Sequence, residues 1–168
     1  YFSYTGNTRL VVHRLSPTLQ GSCNVEITEI VPRRRRSYLH WLAYSFIPSS
    51  EVEIENPRMD LSSYDAVLLG FPKWTFSCPP LNKFVHKIAG VGVPKFFLFM
   101  TCGGFDEERF LRGLRRKLTA MGCDVVESLA VKDREIRDET YTASVEAFAR
   151  LVEQRLGLSR DGSEPAVA

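Results

Sequence analysis

Two short runs constrain this chain most. Residues 66–71 and 96–100 carry no charged or polar side chain. A strand that is apolar on both faces must be covered on both, which is the condition of a central strand in a parallel sheet. Around these runs, strand-like and helix-like stretches alternate. Strict alternation implies a parallel sheet with helices packed on each side. The chain has 168 residues, 44% of them hydrophobic. That suits one domain with its own core.

The order reads as follows. Tyr1-Phe2 ends a first strand. A helix covers 8–19, with Val11, Val12, Leu15 and Leu19 inward, and Pro17 is expected to kink it or end it early. Residues 24–30 alternate as a second strand. A short aromatic-rich helix covers 33–46, and 48–64 is a loop with a brief extended piece at 52–54. The third strand is 66–71, and a helix over 81–89 follows Pro79-Pro80. The fourth strand is 95–101. A helix over 106–121 places Phe110, Leu111, Leu114, Leu118 and Met121 on one face, with Asp106 as N-cap and Gly122 as stop. The fifth strand is 124–131. The last helix is 138–156, with Tyr141, Val145, Phe148 and Val152 inward and Gly157 ending it. One domain thus spans 1–157, and 158–168 reads as a disordered tail.

The second and fifth strands carry polar residues, as edges can. The expected fold is therefore α/β and three-layered, with a doubly wound five-stranded parallel sheet in the order 2-1-3-4-5. Its binding crevice lies beyond the carboxyl ends of the first and third strands. A first strand of two residues cannot span such a sheet, so further apolar residues are expected upstream of Tyr1.

Composition excludes some functions. The formal net charge is +2, which gives no reason to propose nucleic acid. Cysteines 23, 78, 102 and 123 form no metal or iron–sulfur spacing, and their scatter suits a reduced, cytoplasmic protein. No apolar run is long enough for a membrane span. His13, His40 and His86 show no ligand spacing, so no metal is expected.

Three loops belong to the expected rim. Ser3, Tyr4, Thr5, Gly6, Asn7 and Thr8 join a strand to a helix start, where free N–H groups and hydroxyls favour a phosphate. There is no Gly-Lys-Ser/Thr ending and no cysteine nucleophile in it. Pro72, Lys73, Trp74, Thr75 and Phe76, with Ser77-Cys78-Pro79-Pro80 after them, place two aromatic rings between a buried strand and a stiff helix start. The rings either offer flat faces to a flat ligand or fold back on the core. Thr101, Cys102, Gly103 and Gly104, followed by Phe105, either bring bare backbone to a ligand or make a simple turn. Cys78 and Cys102 read as unpaired buried thiols, with a redox pair as the alternative.

The first loop resembles the phosphate-binding signature of the flavodoxin family, and the other two resemble that family's flavin loops. The resemblance covers nearly all of the chain except the tail. It implies non-covalent FMN, with phosphate on residues 3–8 and the isoalloxazine ring between the second and third loops, packed on Trp74 or Phe76. It also implies electron transfer with a redox partner protein or NAD(P)H, and no catalytic side chain. An electron carrier and an NAD(P)H-dependent quinone reductase both stay open, as does a flavin-free interaction module.

The chain departs from the pattern in two respects. Electron-transfer flavodoxins commonly carry a second-loop glycine that stabilises the semiquinone, and residues 72–80 have none. Lys73 beside the ring would favour its anionic reduced form. Both tilt toward two-electron chemistry. Such flavodoxins are also usually acidic, whereas this chain carries Arg33 to Arg36 in a row and Arg109, Arg112, Arg115, Arg116 and Lys117 on one helix. These read as solvated faces, or as docking sites for an acidic protein or the extra phosphate of NADPH. Tyr38, Trp41, Tyr44 and Phe46 read as core, with a homodimer surface or a flavin cover as alternatives.

Overall fold

The computed structural model describes residues 1–55, 60–88 and 95–158. In chain order they form α1 (Asn7–Gln20), α2 (Tyr38–Ser45), β1 (Ala66–Lys73), α3 (Pro79–Lys87), β2 (Lys95–Cys102), α4 (Glu107–Ala120), β3 (Val125–Lys132), α5 (Asp133–Arg137) and α6 (Thr142–Leu156). The strands make a parallel sheet in the order β1-β2-β3. β1 and β2 stay in register from Ala66 opposite Lys95 to Lys73 opposite Cys102.

The apolar runs explain the layering. Successive side chains of a strand face opposite sides. Phe96, Leu98 and Met100 join Leu81 and Phe84 of α3 and Leu114 and Leu118 of α4 in one core. Phe97 and Phe99 join Val11, Val12 and Leu15 of α1 and Val145, Phe148 and Val152 of α6 in the other. Each fully buried ring contributes roughly 1.5–3 kcal/mol. The three-layer α/β fold follows from this alternation.

The expected first two strands are not strands here. The described sheet has three, corresponding to the expected third, fourth and fifth. The segments nevertheless lie side by side in the expected places. The Tyr1 amino group donates to Thr28 O at 2.8 Å, and Ile30 N donates to Tyr1 O at 2.6 Å. Phe2 N donates to Gly70 O at 2.8 Å. The reciprocal parallel bond to Phe2 O would come from the next-but-one N–H of β1, and Pro72 has none.

Several helix boundaries differ from expectation. α1 runs through Pro17 to Gln20. The carbonyl that Pro17 leaves unpaired belongs to His13, and both residues are exposed, so water can satisfy it while Leu15 and Leu19 stay buried. α2 starts at Tyr38 instead of residue 33. Ser37 caps it, its hydroxyl accepting from His40 N, while Pro32 bridges Ile54 and Arg33 N donates to Glu53 O at 2.9 Å. The last helix starts at Thr142 instead of residue 138, and a short helix, α5, that was not expected precedes it. Lys132 N donates to Glu135 Oε2 at 2.6 Å, which starts α5 directly after β3, and Glu139 at φ 56° separates it from α6. Asp106 holds the N-cap position of α4 but is left-handed (φ 52°) and makes no side-chain cap. Gly122 (φ 86°) follows α4, and Gly157 (φ 69°) ends α6. Ala89 and the tail after Leu158 lie outside the described residues.

Candidate functional site

The three loops leave the same end of the sheet. Pro72 and Lys73 of β1 stand opposite Thr101 and Cys102 of β2, so the second and third loops emerge side by side. The bond from Phe2 N to Gly70 O sets the first loop beside them.

Three polar contacts tie the rim together. The Thr8 and Thr101 hydroxyls lie 2.9 Å apart and are buried. Asn7 Nδ2 donates to Asp133 Oδ1 at 2.8 Å, joining the first loop to the start of α5. Lys73 Nζ donates to Phe105 O at 2.6 Å and sits 5.7 Å from the centre of the Phe105 ring. Lys73 is therefore turned along the rim toward the third loop. Replacing Thr8 by valine removes a buried hydroxyl pair and leaves Thr101 without that partner. The expected cost is about 1–2 kcal/mol in urea unfolding. A cost of zero would mean the pair does not hold the loops together.

The start of α1 is led by a left-handed glycine. Gly6 has φ 98° and no side chain to cap the helix. A Cβ added at Gly6 would meet open space, so glycine is favoured there by its backbone angle. Ser3 Oγ accepts from Arg9 N at 3.3 Å, and Thr5 is exposed. In the third loop a Cβ added at Gly103 also meets open space, while one added at Gly104 (φ 95°) would lie 3.6 Å from the Lys132 side chain.

The two rings of the second loop have different fates. Trp74 is half-buried. It stacks on Trp41 at 6.0 Å and meets Phe2 and Tyr4 edge-on at 5.8 and 6.1 Å. It folds back on the core, one of the two readings its position allowed. Phe76 stays 63% exposed, and its ring meets Phe46. Thr75 Oγ1 pairs with Ser45 Oγ at 2.6 Å, and Phe76 N donates to Ser45 O at 3.0 Å, so α2 holds this loop. Of the aromatic set expected in the core, only Trp41 is buried. Tyr38, Tyr44 and Phe46 are exposed.

Sequence reasoning missed Asp133 and undervalued Phe105, which is 80% exposed. Asp133 directly follows β3, so its place in the strand order was the signal for it. No group able to hold a metal occurs among the described residues.

All four cysteines are free. Burial pushes the Cys78 thiol up to about 12 and also raises that of Cys102. The thiolate is the reactive form. In native protein at pH 8, Cys78 is expected to resist an alkylating reagent until the chain unfolds, when all four cysteines react. Fast labelling of native Cys78, read by peptide mass, would contradict that burial.

A cavity of about 610 Å³ lies elsewhere. It opens between α1, residues 23–28 and the start of β1, at the amino ends of the strands. It is the gap in the sheet that Tyr1 and Phe2 bridge only at one end. It has no helix start to receive a phosphate, whereas the rim has one.

The comparisons agree with the architecture. No protein-family model matches the chain. A candidate flavoprotein of Bacteroides uniformis has a TM-score of 0.71 at 17% identity, over 89% of this chain and 94% of its own. One from Bacteroides eggerthii has a TM-score of 0.68 at 18% identity, over 95% and 96%. A flavoprotein of Lactobacillus acidophilus in complex with FMN has a TM-score of 0.61 at 16% identity, over 82% and 93%. The fold is flavodoxin-like. At these identities the likeness concerns the fold. The flavodoxin-like chain also belongs to one family with an uncharacterized protein of Archaeoglobus fulgidus, 33% identical over 138 residues, which are 82% of this chain and 86% of that protein. No helix among the described residues of this flavodoxin-like chain is long and apolar enough to cross a membrane.

Proposed function

We propose that the chain binds FMN non-covalently at the three-loop rim. There it would pass electrons between a redox protein or NAD(P)H and an acceptor, in the cytoplasm. The observation that carries this reading is the meeting of an uncapped, glycine-led helix start with two further loops at the carboxyl end of a parallel sheet. The FMN complex of the Lactobacillus acidophilus neighbour supports it.

The residues present fit the group. Ser3, Thr5 and the first N–H groups of α1 would hold the phosphate. Bare backbone at Gly103 would approach the ring edge, and the exposed rings of Phe76 and Phe105 would supply apolar faces. When bound, FMN supplies acceptance of one or two electrons. Lys73, fixed across the rim by Phe105 O, places a positive charge there, which favours a reduced, anionic ring and two-electron chemistry.

The site is tested by two variants. Thr5→Asp puts a carboxylate where the phosphate would sit and is expected to weaken FMN binding about hundredfold. Tyr64→Phe, in the wall of the large cavity, should leave it unchanged. Titration by flavin fluorescence reads both. The reverse pattern would move the ligand to the cavity.

A further inference from the structure

We propose that α2 and the arginine run before it form a docking surface for an acidic redox protein. This rests on the flavin reading above, since docking there would bring a partner to the edge of the proposed FMN site.

α2 reads Tyr-Leu-His-Trp-Leu-Ala-Tyr-Ser, with no Asp, Glu, Lys or Arg. A helix so apolar is normally covered, yet only Trp41 and Ser45 are buried. Leu39 is 73% exposed, and Phe46, Ile47 and Phe76 are each more than half exposed. The patch is continuous with the rim. Tyr38 lies 6.0 Å from Tyr4 of the first loop, and Phe46 lies 6.1 Å from Phe76 of the second. Contiguous apolar surface of this kind marks an interaction site.

Charge selects the partner. Arg33 to Arg36 are all exposed beside this patch. Arg33, Arg34 and Arg36 line a concavity of about 360 Å³ with His40 and Tyr44. The acids in the same wall are already engaged: Lys83 lies 3.5 Å from Glu51 and 3.0 Å from Glu53, and His86 lies 2.9 Å from Glu51. Among the described residues, no ion pair forms with the four arginines. A second copy of the chain fits this surface poorly. A two-fold contact sets a patch against itself, and would bring two arginine runs together. A partner with an apolar centre and an acidic rim satisfies both features.

The test uses the FMN-loaded protein and, as probe, an acidic plant-type [2Fe–2S] ferredoxin. Two reduced ferredoxins deliver two electrons, and solvent one proton, to each FMN, giving the anionic reduced ring. The second-order rate, measured by stopped flow, is expected to fall about tenfold as salt rises from low to near-physiological and beyond. Changing all four arginines to glutamate should remove about as much at low salt, and Leu39→Asn should slow the reaction without changing its salt slope. Rates indifferent to both salt and the arginine variant would overturn the proposal. A dimer in sedimentation that Leu39→Asn dissolves would also overturn it, because a second copy would then hold the patch. Should the protein take up no FMN, calorimetric titration of ferredoxin into it reads docking alone. Salt-sensitive binding there supports the surface even as the flavin reading fails, and no binding removes the surface.

Discussion

Trp41→Ala is expected to destabilise the protein by about 4 kcal/mol, within the range for truncating a fully buried large aromatic. Trp41 is 2% exposed and is one of two buried residues in α2. Its ring stacks on Trp74, which also meets Phe2 and Tyr4. One deletion therefore opens a cavity under α2 and releases the second loop. Urea unfolding reads the stability. Limited proteolysis should show cleavage near α2 well before global unfolding. A loss below about 1 kcal/mol would mean that α2 is attached by something other than this ring.

Gly70→Ala should cost about 3 kcal/mol or more, although it adds only one methyl group. The added Cβ would lie 2.0 Å from Phe99 Cζ and 2.2 Å from Cε2. Phe99 is buried in the core shared with α1 and α6, so the ring has little room to yield. Glycine stands in this strand because the neighbouring ring occupies the space of its side chain. Phe99→Leu should recover part of the loss when combined with Gly70→Ala, giving a favourable coupling of more than about 1 kcal/mol in a double-mutant cycle. Strict additivity would remove the steric explanation.

The sequence and the structure agree where a single period dominates. The apolar run of β2 declares the central strand of the described sheet, because only a sheet covered on both faces can bury it. α4 shows its inward residues by helical spacing, and Leu114 and Leu118 are buried as expected. They part where long-range pairing decides. α2 is apolar on most sides, so no period marked its start, and the Ser37 cap and the Pro32–Ile54 bridge set it. α1 passes Pro17 because the orphaned carbonyl faces water, which no local propensity reports. The start of α5 depends on a Glu135 carboxylate reaching back to Lys132 N, and its separation from α6 on Glu139 at φ 56°.

The rim shows the same contrast. Strand order alone placed residues 3–8, 72–76 and 101–104 at one end of the sheet, and the contacts of Thr8 with Thr101 and Lys73 with Phe105 lie there. The orientation of Trp74 was not legible, because a ring in a loop can face either the core or a ligand. Its neighbours Phe2, Tyr4 and Trp41 come from two distant segments that sequence could not bring together.

The most direct measurement is the visible absorption spectrum of the purified protein after FMN is added and free flavin is removed by gel filtration. The expected result is a retained yellow flavin band near one FMN per chain, lost on unfolding in urea. Protein that emerges colourless from the column, with and without added FMN, would contradict flavin binding at the rim.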